Sequence, residues 1–220
     1  MQNIPRIFID QNIKSGDVIS VEKDIVHYLT RVMRRSDCLV FNNGVEYMAE
    51  LFDNNKSLKI GNTTDHLDPS NDLILYFAPI KKIDDLLNMA TQMGIAVLQP
   101  VITDRTVANH INWTRMRKII IEASEQSGRN SIPQLLSPIR FSDLDFSDLI
   151  VADERAGHGK QIENKIKKSY KKILIGPEGG FSKSEFEKMD AANVCGLSLG
   201  KTILRAEVAA VVAIAKVLNK

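Results

Sequence analysis

Two stretches, LIGPEGGF at residues 174–181 and LSLGKTILRAE at residues 197–207, decide how this sequence is interpreted. The apolar run at residues 173–175 predicts a buried strand, and a glycine-rich turn at residues 176–180 follows it directly. Glycines let backbone amides and carbonyls approach a ligand closely, and ligands bind beside such loops in α/β sheets. The turn by itself leaves two interpretations open: a ligand-binding loop, and a tight connection that binds nothing.

The turn does not match the common phosphate-binding loops. The pattern G-x-x-x-x-G-K-[ST] fails around Gly159, because Glu154 stands where the first glycine is needed and Gln161 stands where the Ser/Thr is needed. The G-x-G-x-x-G fingerprint is also absent. Glu178 would repel a pyrophosphate. A sulfonium cofactor with an adenosine and free ribose hydroxyls suits this loop better.

Composition and charge are those of an ordinary soluble globular protein. The chain has 220 residues, of which 44% are hydrophobic and 25% charged, and its net charge is +2. No apolar run approaches the roughly 20 residues of a membrane helix, and the first residues lack a signal-peptide pattern. We therefore expect a cytoplasmic protein with no membrane partner. Cys38 and Cys195 are isolated and the histidines are scattered, so we expect no metal site.

The periodicity of apolar residues predicts a small strand-rich part followed by a larger α/β part. In the first part, Glu22–Met33 is a predicted helix and residues 42–44 (Asn-Asn-Gly) a predicted hairpin turn between strands at 38–41 and 45–52. Residues 63–72 read as a linker. Beyond the linker, strands are predicted at 73–78, 95–101, 149–152, 173–175 and 194–199, and helices at 82–93, 113–127, 161–169, 182–191 and 205–218.

Three groups of motifs, in consistent order across residues 5–212, give this chain a family resemblance. The first runs from Gly176 to Ser182 and continues through Leu199-Gly200, Ile203-Leu204-Arg205 and Glu207. The second is EASEQSGR at residues 122–129 with Pro133, and the third lies in Tyr28–Arg34. Together they resemble the RsmE family of 16S ribosomal RNA (uracil-N3)-methyltransferases, which belongs to the SPOUT class.

This resemblance implies a fold, a cofactor and partners. Residues 1–68 would form a PUA-like β-barrel that binds RNA. Residues 72–220 would form a SPOUT domain, an α/β fold with a parallel sheet and a trefoil knot. The cofactor would be S-adenosylmethionine, and the partners would be 16S ribosomal RNA or the small ribosomal subunit and a second copy in a homodimer. The implied cofactor-binding residues are Ile175, Gly176, Pro177, Glu178, Gly179, Gly180, Leu197, Leu199, Gly200, Ile203 and Leu204.

The chemistry of uridine N3 suggests roles for the charged residues. This nitrogen carries a proton at neutral pH, so a base must remove the proton or a cation must stabilise the anion. Arg205 is the candidate cation, and an ion pair with Glu207 or with a partner carboxylate is its alternative interpretation. Glu178 and Glu207 are the candidate bases, although Glu207 near a helix start would be less basic and would orient Arg205 instead.

Five residues are candidates for RNA binding, each with an alternative interpretation. Arg31 lies on the predicted helix 22–33, and Arg34 and Arg35 follow directly after its end. This helix would bury Leu29, Val32 and Met33 and leave the arginines outward; the alternative is a solvated helix face. Gln126 and Arg129 would contact RNA or hold the dimer together. The candidate RNA-binding residues are therefore Arg31, Arg34, Arg35, Gln126 and Arg129.

Departures from the family pattern introduce a second functional hypothesis. Met89 and Gln92 replace a Lys and a Glu of the family, and Thr202 replaces an Arg. Ala206 and Val208 replace threonines, which removes their hydroxyl groups. A catalytically weakened or inactive ribosome assembly factor that binds RNA with the same fold is therefore the alternative to a methyltransferase.

Overall fold

The computed structural model divides into two compact units. The N-terminal unit comprises the described residues of Met1–Ser70 and Ile121–Ile132, and the C-terminal unit those of Asn71–Ile120 and Pro133–Lys220. The residues whose structure is described are 4–69, 71–107, 112–159, 161–162, 166 and 170–219.

The N-terminal unit is built on a five-stranded sheet in the order β1-β3-β4-β5-β2, in which β1 and β3 are parallel and the other pairs antiparallel. The predicted hairpin turn is confirmed, because Asn43 (φ 51°) and Gly44 (φ 81°) adopt the left-handed conformation that such turns require. Its elements are β1 (Arg6–Phe8), β2 (Val18–Ser20), α1 (Lys23–His27), β3 (Asp37–Asn42), β4 (Val45–Phe52) and β5 (Ser57–Thr63).

The helix predicted over Glu22–Met33 is only partly regular. After α1 the chain continues as a π-helical stretch, Tyr28–Met33. A π-helix bonds each residue to the fifth one along, so the angular positions of later side chains shift relative to an α-helix. Leu29 is fully buried as predicted, whereas the prediction for Val32 is wrong because this residue is 60% exposed. Met33 is half-buried.

A segment from the middle of the chain, residues 121–132, completes the N-terminal unit. The guanidinium of Arg6 donates hydrogen bonds to the Arg129 carbonyl and to Asn130 Oδ1, both at 2.8 Å. The amide of Asn130 in turn donates to Asp68 Oδ1 at 2.7 Å. These contacts join residues more than 60 positions apart, and no local pattern in the sequence indicates them.

The C-terminal unit is an α/β fold on a parallel sheet with the order β12-β10-β11-β6-β7-β8, and β9 also pairs with β7. The parallel α/β prediction is confirmed. The strands β8 and β9 were not predicted, because two residues are too few to show a period. Its elements are β6 (Ile74–Phe77), α2 (Ile83–Gln92), β7 (Val97–Ile102), β8 (Gln134–Leu135), β9 (Ile139–Arg140), β10 (Leu149–Ala152), β11 (Lys172–Ile175), α4 (Lys183–Ala191), β12 (Cys195–Leu197) and α5 (Ala206–Leu218). The helix α3 (Trp113–Ser127) begins in this unit, and its residues from Ile121 onward belong to the N-terminal unit.

Apolar strands and one face of α5 form the centre of this unit. All four residues of β10 are buried, as expected for a strand covered on both sides. The helix α5 packs against α2, β10 and β11. Most residues of this helix are Ala or Val, but it is not covered on all sides, since Val208 and Leu218 are 41% and 43% exposed. Most of the helix predicted at 161–169 lies outside the described residues.

Candidate active site

A cavity of about 540 Å³ lies at the carboxyl ends of four neighbouring parallel strands, β6, β10, β11 and β12. Loops that leave this edge of a parallel sheet converge, and ligands of α/β proteins bind there. The volume falls within the range of small-molecule and cofactor sites. The residues that line the cavity are Lys81, Lys82, Ala152, Asp153, Glu154, Ala156, Gly157, Ile175, Gly176, Pro177, Glu178, Leu199, Gly200, Thr202, Ile203, Leu204, Arg205, Ala206, Glu207 and Ala209.

The glycine-rich turn after β11 forms one wall of this cavity. The turn is tight, since the Gly180 amide donates to the Pro177 carbonyl at 2.9 Å. The buried ring of Phe181 packs over Gly176, where a Cβ would lie 2.8 Å from the ring. Gly180 has a φ of +69°, which an L side chain rarely adopts. Glycine is therefore required at 176 because the ring of Phe181 leaves no room for a side chain. It is required at 180 because of the backbone conformation.

A loop after β7 fixes the far side of this turn. The guanidinium of Arg105 donates to the Gly179 carbonyl at 2.9 Å. Asp104 accepts hydrogen bonds from the hydroxyls of Ser182 and Ser184, which lower the pKa of its carboxyl. The helix predicted at 182–191 is confirmed as α4, which begins with a capping box that has Ser182 as the N-cap.

The second wall comes from the loop between β12 and α5. This loop passes close to the turn after β10, because a Cβ on Gly157 would lie 3.0 Å from Ile203 Cγ1. The ammonium group of Lys216 in α5 donates to the Ser198 carbonyl at 2.9 Å and holds the start of the loop against the helix. The stretches at residues 174–181 and 197–207 thus face one cavity.

The two residues predicted to be catalytic both line the cavity. Arg205 is exposed at the N-cap position of α5, and Glu207 is buried in the first turn of this helix. Within the described part of the chain, Arg205 forms no ion pair with Glu207. The guanidinium therefore remains available at the cavity, where it can bind a negatively charged group.

Most of the residues predicted to bind a cofactor also line this cavity, and three do not. Leu197 is fully buried within β12. Gly179 is bound by Arg105 on the exposed side of the turn, and Gly180 is buried behind it. The predicted residues that line the cavity are Ile175, Gly176, Pro177, Glu178, Leu199, Gly200, Ile203 and Leu204.

Several cavity residues were not predicted. Lys81 and Lys82 follow β6, and Asp153 and Glu154 follow β10. The one signal in the sequence was their position directly after predicted buried strands. Burial raises the pKa of Glu154, whereas its hydrogen bond from the Phe181 amide acts in the opposite direction.

The residues predicted to bind RNA all belong to the N-terminal unit. Arg31 and Arg34 are exposed. Arg35 makes a two-pronged contact with Asp37, whose oxygens accept from Nε at 2.9 Å and from Nη2 at 2.6 Å. Gln126 is exposed, and Arg129 is half-buried beside Arg6.

The described residues contain no group of three or more His, Cys, Asp or Glu side chains that could hold a metal ion. None of their helices is both long enough and apolar enough to cross a bilayer.

Comparison with known proteins adds sequence and structural relatives to this geometry. The sequence profile of the RNA methyltransferase domain family matches residues 68–218. The chain is 34% identical over 232 residues to ribosomal RNA small subunit methyltransferase E from Rickettsia conorii, covering 96% of this chain and 94% of the relative. It is 26% identical to the protein of the same name from Bacillus subtilis, covering 96% and 95%. The ribosomal RNA small subunit methyltransferase E from Neisseria gonorrhoeae, solved bound to S-adenosyl methionine, has a TM-score of 0.85 at 24% identity and covers 99% of this chain and 98% of its own.

The profile match covers more than half of the chain and assigns the chain to the class of the RNA methyltransferases. The chain belongs to the family of ribosomal RNA small subunit methyltransferase E, to which its relatives align over nearly their full length. The resemblance identified from the motifs is thereby confirmed. The likeness to the Neisseria structure supports the fold of the whole chain.

Proposed function

We propose that this chain is an S-adenosylmethionine-dependent methyltransferase that modifies N3 of a uridine in 16S ribosomal RNA. The family to which the chain belongs establishes the coarser function, methylation of small-subunit ribosomal RNA. The observation that carries the finer proposal is the cavity, which brings the glycine-rich turn after β11 together with Arg205 and Glu207.

The residues of the cavity fit S-adenosylmethionine. Gly176 keeps side chains out of one wall, so that backbone groups can approach the ligand. Leu199, Ile203 and Leu204 supply apolar side chains for the flat face of an adenine on the other wall. The carboxylate of Glu178 favours a ligand with a positive charge. These features support a sulfonium nucleoside in this cavity, and such a cofactor supplies a transferable methyl group.

Two tasks remain for the protein: orienting the target base and dealing with its N3 proton. Orientation of reacting groups can contribute about 7–11 kcal/mol in favourable cases. The guanidinium of Arg205 is planar and can bind the uracil oxygens on which negative charge develops as the proton leaves. Either Glu178 or Glu207 takes this proton, and help of this kind is typically worth about 10²–10⁴ in rate. Glu207 lies in the first turn of α5, two positions after Arg205, so its second candidate role is to orient Arg205 once the substrate is bound.

The RNA would bind to the N-terminal unit. Its five-stranded sheet is compatible with a PUA-like barrel, and Arg31 and Arg34 are exposed for phosphate contacts. Gln126 and Arg129 belong to the same unit and remain further candidates for contact with the RNA. We expect the protein to act in the cytoplasm, where its ribosomal substrate is assembled.

The C-terminal unit would carry a trefoil knot and form a homodimer. The chain moves from β11 to the edge strand β12 and then returns, because α5 packs against β10, β11 and α2. This return beside the turn after β10 supports the knot. Ile203 and Val208 are 63% and 41% exposed near the cavity, and a second copy would cover such apolar side chains.

The experiment incubates the purified protein with labelled S-adenosylmethionine and small ribosomal subunits that lack the modification. The wild type should transfer label to the RNA. Arg205→Ala should abolish transfer and leave cofactor affinity almost unchanged, because the guanidinium acts on the substrate. Arg140→Ala, which removes an exposed arginine in β9 away from the cavity, is the matched control and should behave as wild type.

The outcomes separate the two functional hypotheses. Cofactor binding without transfer by the wild type would favour the noncatalytic assembly factor. Equal loss of transfer and of cofactor affinity in Arg205→Ala would reassign this residue to the cofactor site.

A further inference from the structure

The carboxylate of Glu154 occupies an unusual place beside the glycine-rich turn. This residue begins a 3₁₀ turn, Glu154–His158, that follows β10 directly. Its Oε1 accepts a hydrogen bond from the Phe181 amide at 3.2 Å. Glu154 also lines the cavity. One side chain therefore connects the end of β10, the end of the glycine-rich turn and the ligand space.

The backbone that presents Glu154 is firmly held. The neighbouring Asp153 is buried, and its carboxylate accepts from the Arg155 amide at 3.0 Å and from Arg155 Nη2 at 2.7 Å. The same guanidinium donates to Asp190 in α4 and lies 3.9 Å from the centre of the Phe186 ring. These contacts fix the residues on both sides of Glu154, so its side chain is directed at the turn by a rigid support.

The carboxylate of Glu154 packs closely against the turn. A Cβ on Gly180 would overlap with Glu154 Oε1, so the carboxylate packs directly on the glycine backbone. Phe181, whose amide Glu154 binds, also places its ring over Gly176. The shape of the turn from Gly176 to Phe181 therefore depends on two contacts of Phe181, one made by its ring and one made by its amide.

The charges around Glu154 come from several elements. Asp153 raises the pKa of the Glu154 carboxyl, and Arg105 and His158 lower it. Burial is the largest influence and raises this pKa. The carboxyl group of Glu154 is thus held in a buried place that disfavours its charge. There it accepts a hydrogen bond from the Phe181 amide, and this contact supports the turn.

We propose that Glu154 is a positioning residue of the cofactor site, whose carboxylate holds the turn 176–181 in the shape that forms one wall of the cavity. The proposal rests on the proposed function for the identity of the cofactor, but the shape of the turn is a property of the protein itself. Glu154 acts through the Phe181 amide and the Gly180 backbone.

Two variants and one control test this role in the full chain. Glu154→Ala removes the acceptor. Glu154→Gln keeps an oxygen that can accept from the Phe181 amide but removes the charge. Glu187→Ala is the matched control, because this glutamate is exposed in α4 and pairs only with the neighbouring Lys183 among the described residues. Two quantities are measured: hydrogen exchange of the amides in residues 176–181 without ligand, and the Kd for S-adenosylmethionine.

In Glu154→Ala, exchange at the turn should rise by about tenfold or more, the factor expected for one lost hydrogen bond to a charged group. Exchange in β11 should stay as in wild type, which shows that the unit is folded. The Kd should weaken by roughly tenfold, whereas Glu154→Gln should restore both quantities to within about threefold of wild type.

Unchanged exchange at the turn in Glu154→Ala would overturn the proposal. So would a Glu154→Gln variant with wild-type exchange but the weak affinity of Glu154→Ala, since the charge would then act on the ligand directly. A wild-type protein that binds no S-adenosylmethionine would contradict the proposed function instead, and exchange at the turn would still decide the role of Glu154.

Discussion

Replacing Gly180 by alanine tests the architecture of the glycine-rich turn. Gly180 has a φ of +69°, and a Cβ at this position would overlap with the carboxylate of Glu154. The end of the Glu154 side chain can move aside, but the movement would break its hydrogen bond with the Phe181 amide. The substitution therefore has two costs, one in the backbone and one in a hydrogen bond.

The expected loss in the free energy of unfolding follows from these two costs. A left-handed conformation costs an L residue roughly 1–2 kcal/mol. Loss of a hydrogen bond to a charged group costs about 1.5–3 kcal/mol, and reduced chain entropy in the unfolded state returns about 0.4–1 kcal/mol. We expect Gly180→Ala to lower the free energy of unfolding by about 2–4 kcal/mol.

A second glycine separates the two costs. Gly159 has a φ of +91°, but no atom lies within 4 Å of the position of its Cβ. Gly159→Ala should therefore lose only about 1 kcal/mol, the backbone cost. Urea unfolding followed by circular dichroism measures the free energy of unfolding for both variants.

A double variant tests the coupling. In a Glu154→Ala background the overlap and the hydrogen bond are already gone, so Gly180→Ala should cost about as little as Gly159→Ala. Equal losses for Gly180→Ala and Gly159→Ala in the wild-type background would refute this reasoning. An unchanged cost of Gly180→Ala in the Glu154→Ala background would refute it as well.

Three further predictions concern the supports of this turn. Arg155→Ala should lower the free energy of unfolding by about 3–5 kcal/mol, because Asp153 would remain buried without its cation; a loss below 1 kcal/mol in urea unfolding would contradict this. Ser182→Ala should cost about 1 kcal/mol in the same assay, since the N-cap acceptor for the Glu185 amide is removed, and no loss would argue against the cap. Burial raises the pKa of Glu154, so the stability that its neutral form contributes is present below the pKa of an unfolded glutamate and is lost as pH rises through the folded-state pKa. Residue 154 cannot ionise in Glu154→Gln, so the melting temperature of this variant should rise relative to that of wild type as pH increases across this window. Parallel curves of melting temperature against pH would show that Glu154 does not titrate there.

Local patterns in the sequence predicted the local structure well. The hairpin at Asn43-Gly44 follows from residues that tolerate a positive φ, and the start of α4 follows from the capping box at Ser182. The buried strand β10 follows from its continuous apolar run. Each of these features depends on neighbours in the chain, and such neighbours can be read from the sequence.

A local change of helix type and contacts between distant residues explain what the sequence did not predict. The exposure of Val32 results from a π-helical stretch, which the spacing of apolar residues does not distinguish from an α-helix. The packing of residues 121–132 in the N-terminal unit depends on Arg6 and Asp68, which are far away in sequence. Glu154 became a candidate only when the fold placed it against Phe181.

The parts of the site that could be predicted are the loops that come directly after predicted strands. The glycine-rich turn and the loop before α5 were singled out from their residues and their family resemblance, and both line the cavity. Lys81 and Lys82 follow β6 at the same edge, but no motif identifies them. Their presence in the cavity depends on the strand order, in which β6 lies next to β11.

The central claim is tested most directly by locating the methyl group on the RNA. Small ribosomal subunits without the modification are incubated with the protein and S-adenosylmethionine, and mass spectrometry of the digested 16S ribosomal RNA identifies the methylated nucleotide and its position. We predict one methyl group on N3 of a single uridine. A methyl group on another base, or at another position of uridine, would contradict the account.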